Sequence, residues 1–255
     1  MRKALEEVLV PAPRTFGDLF NKWLAAPNAL RPATNREYER IVKGRLTRHF
    51  GRVVLGTLQQ DHVAAYLEKR GGVKANREMA VLSTICAWAM RKQWLRVNPC
   101  HGVRRNTETP RRYYITNQEL DAALERASPE VRDMLELAYL TGLRQGDLIR
   151  LTHLQIREDG IHVTESKRGR RIRVQWSAPL RIVVQRAAAR AGNCPRLLTN
   201  SRGEPWTSSG FQTAFQRLGV PWTFHDLRAK AESDHETGLG LLSRYQRARI
   251  LTPVR

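Results

Sequence analysis

No apolar run in this 255-residue chain approaches the roughly 18 residues that a helix needs to cross a bilayer, so no membrane span is expected. The opening stretch, MRKALEEVLVPAP, has acidic residues inside its short apolar segment and lacks the core of a secretory signal. Cysteine is scarce: Cys86, Cys100 and Cys194 stand alone, with no CxxC spacing. That excludes a disulfide framework and a thiolate metal site, and it reads as reduced thiols, with Cys86 packed in a core. His49, His62, His101, His153 and His162 show no ligand spacing either, and no carboxylate cluster marks a metal-dependent nuclease, so neither metal nor cofactor is expected. Acidic residues are few, 24 Asp and Glu against 44 Lys and Arg, a net charge of +20. The charge runs along the whole length, which fits a folded protein that meets a polyanion on several surfaces, with DNA or RNA as the first expectation.

Apolar residues make up 41% of the chain, enough to build real cores, and the length suits two modest domains. Through residue 98 the pattern is helical throughout. Thr15 can cap a helix over 15–26 with Phe16, Leu19, Phe20, Trp23 and Leu24 on one face. Further helices are expected from Pro32 through Phe50, over QQDHVAAYLEKR up to Gly71-Gly72, and from about Lys74 to Trp94. From Pro99 to Pro110 the pattern breaks into PCHGVRRNTETP, a basic linker in which Arg104 and Arg105 are expected to lie along DNA. The remainder is mixed. Helices are expected at 117–127, 129–140, 179–191 and 208–218, and one more over TFHDLRAKAESDHE, where Thr223 and Asp226 resemble a capping box. IHVTE and RIRVQ alternate around KRGR as a hairpin. The expected organisation is an all-α unit at 14–98, a linker at 99–112 and a mixed unit at 113–255.

Four basic side chains and a tyrosine carry the chemistry: Arg144 in TGLRQGDL, Lys167 in ESKRGRR, His225 and Arg228 in FHDLR, and Tyr245. Cutting a DNA strand without metal requires neutralising the non-bridging oxygens, protonating the leaving 5′ oxygen and aligning a nucleophile. Arginine suits the first task, because its planar fork grips a phosphate with two hydrogen bonds and never loses its charge. A lysine on a hairpin suits the second and a phenol the third, provided nearby cations ease its ionisation. His225 and Arg228, at i and i+3, share a helix face. Arg144 follows a glycine turn at a helix start, where backbone N–H groups are expected to help hold an anion. Arg168, Arg170 and Arg171 surround Lys167 as phosphate contacts. Tyr113 and Tyr114 come too early to be the nucleophile and are expected to pack at the domain junction.

This ordered set resembles the tyrosine recombinases of the phage-integrase family. TGLRQGDLIRL is similar to that family's first-arginine motif, with Asp147 in the place of its acidic residue; Lys167 is similar in position to its hairpin lysine; and FHDLR resembles its His-x-x-Arg motif. The resemblance spans roughly residues 14 to 245. It implies a mainly α fold with a small β-hairpin or sheet, made of an all-α, SAM-like core-binding domain and an α+β recombinase catalytic domain. It also implies a DNA strand transferase that works through a 3′-phosphotyrosine without metal or ATP, with DNA clamped between the domains and four protomers on paired sites. A cytoplasmic, nucleoid-associated location follows, in a bacterial host cell if the protein is phage-encoded. The C-terminus departs from the family: Arg228 and Tyr245 are 17 positions apart and no Leu-Gly-His lies between them, although His235 stands ten positions before Tyr245 as a candidate replacement. The alternatives are a DNA-binding protein of the same ancestry that no longer cuts and a type IB topoisomerase-like enzyme.

Overall fold

The computed structural model describes residues 12–27, 29–109, 113–167, 169–237 and 252–253. The chain divides into two compact units, 1–110 and 111–255. Among the described residues no helix is long and apolar enough to cross a membrane.

In the first unit, helix α1 (Phe16–Ala25) opens on a reciprocal cap: the Asp18 amide donates to the Thr15 hydroxyl at 3.2 Å, and the Thr15 amide donates to the Asp18 carboxylate at 2.9 Å. Its apolar stripe, Phe16, Leu19, Phe20 and Trp23, is buried. Helix α2 (Pro32–Ile41) starts on a proline, whose missing N–H costs nothing at that position. It runs through a π-helical turn at Val42–Leu46 into α3 (Thr47–Phe50). The extra residue of that turn lets Ile41, Val42, Leu46 and Phe50 all face inward. Helices α4 (Gln60–Arg70) and α5 (Gly72–Arg91) are joined at Gly71 and Gly72, both with positive φ, a conformation that only glycine adopts cheaply. One face of α5, with Ala75, Met79, Leu82, Ile85, Cys86 and Ala89, closes this core. The stretch after residue 99, expected as a linker, is tied to the first unit as far as Glu108. Buried Asn76 exchanges two hydrogen bonds with the Asn106 backbone at 2.8 and 2.9 Å and donates to Glu108 at 2.7 Å.

The second unit is built round α7 (Pro129–Thr141), which is preceded by α6 (Asn117–Arg126). From Val131 to Thr141 all but one of the side chains of α7 are buried, and the chain leaves it through Gly142 at φ +62°, a left-handed stop. A short helix α8 (Gln145–Ile149) follows, then a 3₁₀ turn at His153–Gln155 and the strands β1 (Ile156–Arg157), β2 (Gly160–Thr164) and β3 (Arg171–Val174). Helices α9 (Ala178–Ala191), α10 (Ser208–Gln216) and α11 (Phe224–Thr237) complete the core, and β4 (Thr252–Pro253) joins the sheet. The sheet is antiparallel in the order β1-β2-β3-β4, with Ile161 opposite Val174 and Ile172 opposite Pro253. Helices α9 and α11 both pack on α7, and Asp133 of α7 fastens α9 by accepting from Arg186 at 2.7 Å and Arg190 at 3.0 Å. The expected fold, mainly helical with one hairpin, is the observed one. The strands β1 and β4 are additions of two residues each, too short to leave an alternating pattern.

Candidate active site

The rigid C-terminal end of α7 sets the position of Arg144. Gly142 turns the chain, Leu143 is buried, and Arg144 becomes the N-cap of α8 in extended conformation. Its carbonyl takes the N–H groups of Asp147 at 2.9 Å and Leu148 at 3.0 Å. Helix α8 is a turn and a half long, so it carries little dipole, and an anion held here rests on the guanidinium rather than on backbone N–H groups.

The hairpin is tied to this corner at two points. The Ser166 amide donates to Asp147 Oδ1 at 3.0 Å, and the Arg144 guanidinium is ion-paired with Glu165. Asp147 is buried and also accepts from Arg150 at 3.2 Å, while its second oxygen, Oδ2, is buried with no hydrogen-bond partner among the described residues. Lys167 follows directly, exposed in the turn. The Glu165 amide donates to the Arg170 carbonyl at 2.9 Å and the Gly169 amide to the Glu165 carbonyl at 2.8 Å, which closes the turn. Arg170 and Arg171 are exposed on its returning arm. Arg168 lies outside the described residues.

Helix α11 supplies the other pair. The Thr223 amide donates to Asp226 at 2.7 Å and the Asp226 amide to the Thr223 hydroxyl at 3.3 Å, the expected capping box. His225 is exposed, and Arg228 is half-buried with its guanidinium 3.1 Å from Glu232. Helix α10 links this pair to the Arg144 corner. Its first residue, Ser208, accepts a long 3.4 Å hydrogen bond from Gln145, and its Phe211 packs edge-on against Phe224 at 4.9 Å. Arg144, the Lys167 turn, His225 and Arg228 thus sit on connected elements of one unit. Arg104 and Arg105 are exposed in the other unit. Tyr245 and the side chain of His235 lie outside the described residues.

Two groups of residues escaped the sequence. The first is a buried polar pin under α11. Lys230 and Asp234, both 1% exposed, pair at 3.2 Å. The Lys230 ammonium donates to Asn117 at 2.7 Å and lies 4.8 Å from the Tyr114 ring centre and 5.9 Å from that of Tyr139. The Tyr114 and Tyr139 hydroxyls donate to Asp234 at 2.8 and 2.9 Å. Tyr114, expected at the domain junction, therefore engages α11 within its own unit, and Tyr113 donates to Glu119 of α6, lowering that carboxyl's pKa. Directed polar contacts fix the rotation of a helix more strictly than apolar packing does, so this pin orients the face that carries His225 and Arg228. The second group is a basic face on the first unit. A depression of about 210 Å³ is lined by Arg45, Arg48, His49, Tyr66, Lys69 and Arg70. Burial, and secondarily Lys69, lowers the pKa of His49 and favours its neutral ring. Inside, Glu78 accepts from Tyr66 at 2.5 Å and Arg70 at 3.2 Å, and burial raises the Tyr66 pKa.

The fold, a helical unit followed by an α+β unit, is shared with solved integrase structures. Residues 114–234, within the second unit, match the model of the phage integrase family. Among solved structures the chain is similar to a lambda integrase tetramer bound to a Holliday junction, with a TM-score of 0.77, 18% identity and coverage of 100% of this chain and 83% of that one. It is similar to a lambda integrase dimer bound to a COC′ core site, with a TM-score of 0.76, 21% identity and coverage of 88% and 71%. The Tn1549 transposon integrase in complex with circular intermediate DNA gives a TM-score of 0.71, 15% identity and coverage of 91% and 90%. No curated protein matches the sequence.

Proposed function

We propose that this chain is a site-specific DNA recombinase of integrase type, a phage integrase by its motifs, that cuts and rejoins double-stranded DNA through a 3′-phosphotyrosine, without metal or ATP. The observation that supports this reading is that α8, which Arg144 caps, and α11, which carries His225 and Arg228, both pack on α7, while Asp147 of α8 ties down the turn that carries Lys167. Arg144 and Arg228 hold the non-bridging oxygens of the scissile phosphate as charge builds on them. The Tyr245 oxygen, deprotonated, attacks phosphorus while the bond to the 5′ oxygen breaks; Lys167 gives its proton to that oxygen. His225 hydrogen-bonds the same phosphate, and His235 stands in for the family's missing histidine. The bond energy is kept in the phosphotyrosine, so the 5′ hydroxyl of a partner strand reverses the step. Arg104, Arg105, Arg168, Arg170 and Arg171 contact backbone phosphates, and four protomers assemble on paired sites at the bacterial nucleoid.

The compressed tail, with Arg228 and Tyr245 17 positions apart, favours one second reading: a DNA-binding relative that no longer cuts. Suicide duplexes nicked near the cleavage point separate the two. The proposed recombinase forms a covalent protein–DNA adduct in EDTA. Specific, salt-sensitive binding with no adduct under any condition supports the second reading instead. Relaxation of a supercoiled plasmid without a target site marks a topoisomerase-like enzyme.

A further inference from the structure

A carboxylate already occupies the guanidinium that the proposed phosphate grip requires. Glu165 is ion-paired with Arg144, its side chain only 10% exposed and that of Arg144 23%. A pair shielded this far from water is screened little by salt, unlike the exposed Glu37–Arg40 pair on α2. Glu165 also heads the turn that carries Lys167, and the turn is closed by its own backbone bonds to Arg170 and Gly169. The carboxylate and Lys167 therefore belong to one turn, which the Ser166–Asp147 bond ties to α8. Carboxylate and phosphodiester both offer two oxygens to the arginine fork and compete for the same N–H groups. A phosphate that approaches while Glu165 stays in place meets a like charge at close range.

We propose that Glu165 is an internal stand-in for the DNA phosphate: it holds Arg144 in the DNA-free protein, and Arg144 engages a phosphodiester only when the Glu165–Lys167 turn moves and withdraws the carboxylate. The inference rests on the reading of Arg144 as a phosphate ligand. Its consequence is selectivity. Any stretch of DNA backbone can meet the exposed arginines, but only DNA that also draws the turn aside gains Arg144, because a ligand shifts a two-state element by no more than its differential affinity for the two states. One movement then frees the grip and repositions Lys167, the proposed acid.

The test is a double-mutant cycle on the full chain: wild type, Glu165→Gln, Arg144→Ala and the double variant, each titrated with a short random-sequence duplex by fluorescence anisotropy over a range of salt. Glu165→Gln keeps the shape and removes the charge. It is expected to tighten binding by about three- to tenfold and to steepen the salt dependence by about one phosphate contact. With Arg144→Ala already present, the same change is expected to alter affinity by less than about twofold. No gain in the single variant, or an equal gain with and without Arg144, overturns the proposal, the latter because it marks a general charge effect. Absence of binding in all four proteins, wild type included, overturns the DNA-binding reading itself and the proposal with it. A second measurement needs no Glu165 variant: the Arg144 guanidinium signal of wild type in ¹⁵N NMR, assigned by its loss in Arg144→Ala. Hindered rotation before DNA is added is expected; free rotation overturns the proposal.

Discussion

Replacing Asp234 by Asn tests whether α11 is held by a buried charge pair. The substitution keeps the volume and one acceptor for the Tyr114 and Tyr139 hydroxyls, which donate at 2.8 and 2.9 Å, but it leaves the Lys230 ammonium buried without its ion-pair partner. Both partners are 1% exposed, so solvent screening gives almost no discount. Breaking a buried pair by neutralising one partner costs about 3–5 kcal/mol. At about 3 °C per kcal/mol for a unit of this size, the melting transition of the second unit is expected to fall by about 10 °C. Adding Lys230→Met removes the stranded charge, and the double variant is expected to regain at least about 2 kcal/mol of the loss. Denaturant unfolding of wild type, both single variants and the double variant gives the coupling energy directly. A loss below about 1 kcal/mol in Asp234→Asn, or losses that simply add in the double variant, would refute the reasoning, because it would mean that water or Asn117 already satisfies the ammonium.

Three further outcomes are expected. His49 titrates below the ordinary histidine value, and Lys69→Ala brings it back only in part, because burial is the larger cause and the lysine charge the smaller; an NMR pH titration reads both. A depressed histidine contributes stability that is complete above its unfolded pKa and lost as pH falls through the folded one, so the first unit is expected to weaken on acidification below about pH 6.5, and His49→Phe to flatten that part of the curve. Alanine at Arg45, Arg48 or Lys69 is expected to lower the salt slope of duplex binding by about one each, if the depression they line faces DNA backbone; unchanged slopes remove that face from the interface. Arg144→Ala or Arg228→Ala is expected to lower cleavage by at least about a hundredfold while binding stays measurable, because other cations carry the non-specific affinity; loss of all binding from either change contradicts the assignment.

The parts of the molecule that sequence spells out are those governed by local rules. The Thr15 and Thr223–Asp226 caps and the apolar stripe of α1 each act within a few residues, and each is where the pattern put it. Arg144, His225 and Arg228 stand out as candidates in the sequence because motif and helix spacing agree. What was not legible depends on long-range partners. Lys230 and Asp234 at i and i+4 look the same in sequence as any surface ion pair; only their burial beside Leu227 and Ala231 of α11 shows that they are inside. Glu165 reads as one charge among many in a basic hairpin until the fold brings it to Arg144, 21 positions earlier. The π-helical turn over Val42–Leu46 leaves no composition signal, and β4 gains its place from a register with β3 that no local pattern encodes.

The central claim is that this constellation makes a covalent bond to DNA through Tyr245. A nicked suicide duplex, trapped with wild-type protein in EDTA and digested with trypsin, allows the cross-linked peptide to be identified by mass spectrometry. The account predicts a nucleotide joined through its 3′ phosphate to the peptide that contains Tyr245, and no adduct from Tyr245→Phe. An adduct that survives that change, or one mapped to another residue, contradicts it.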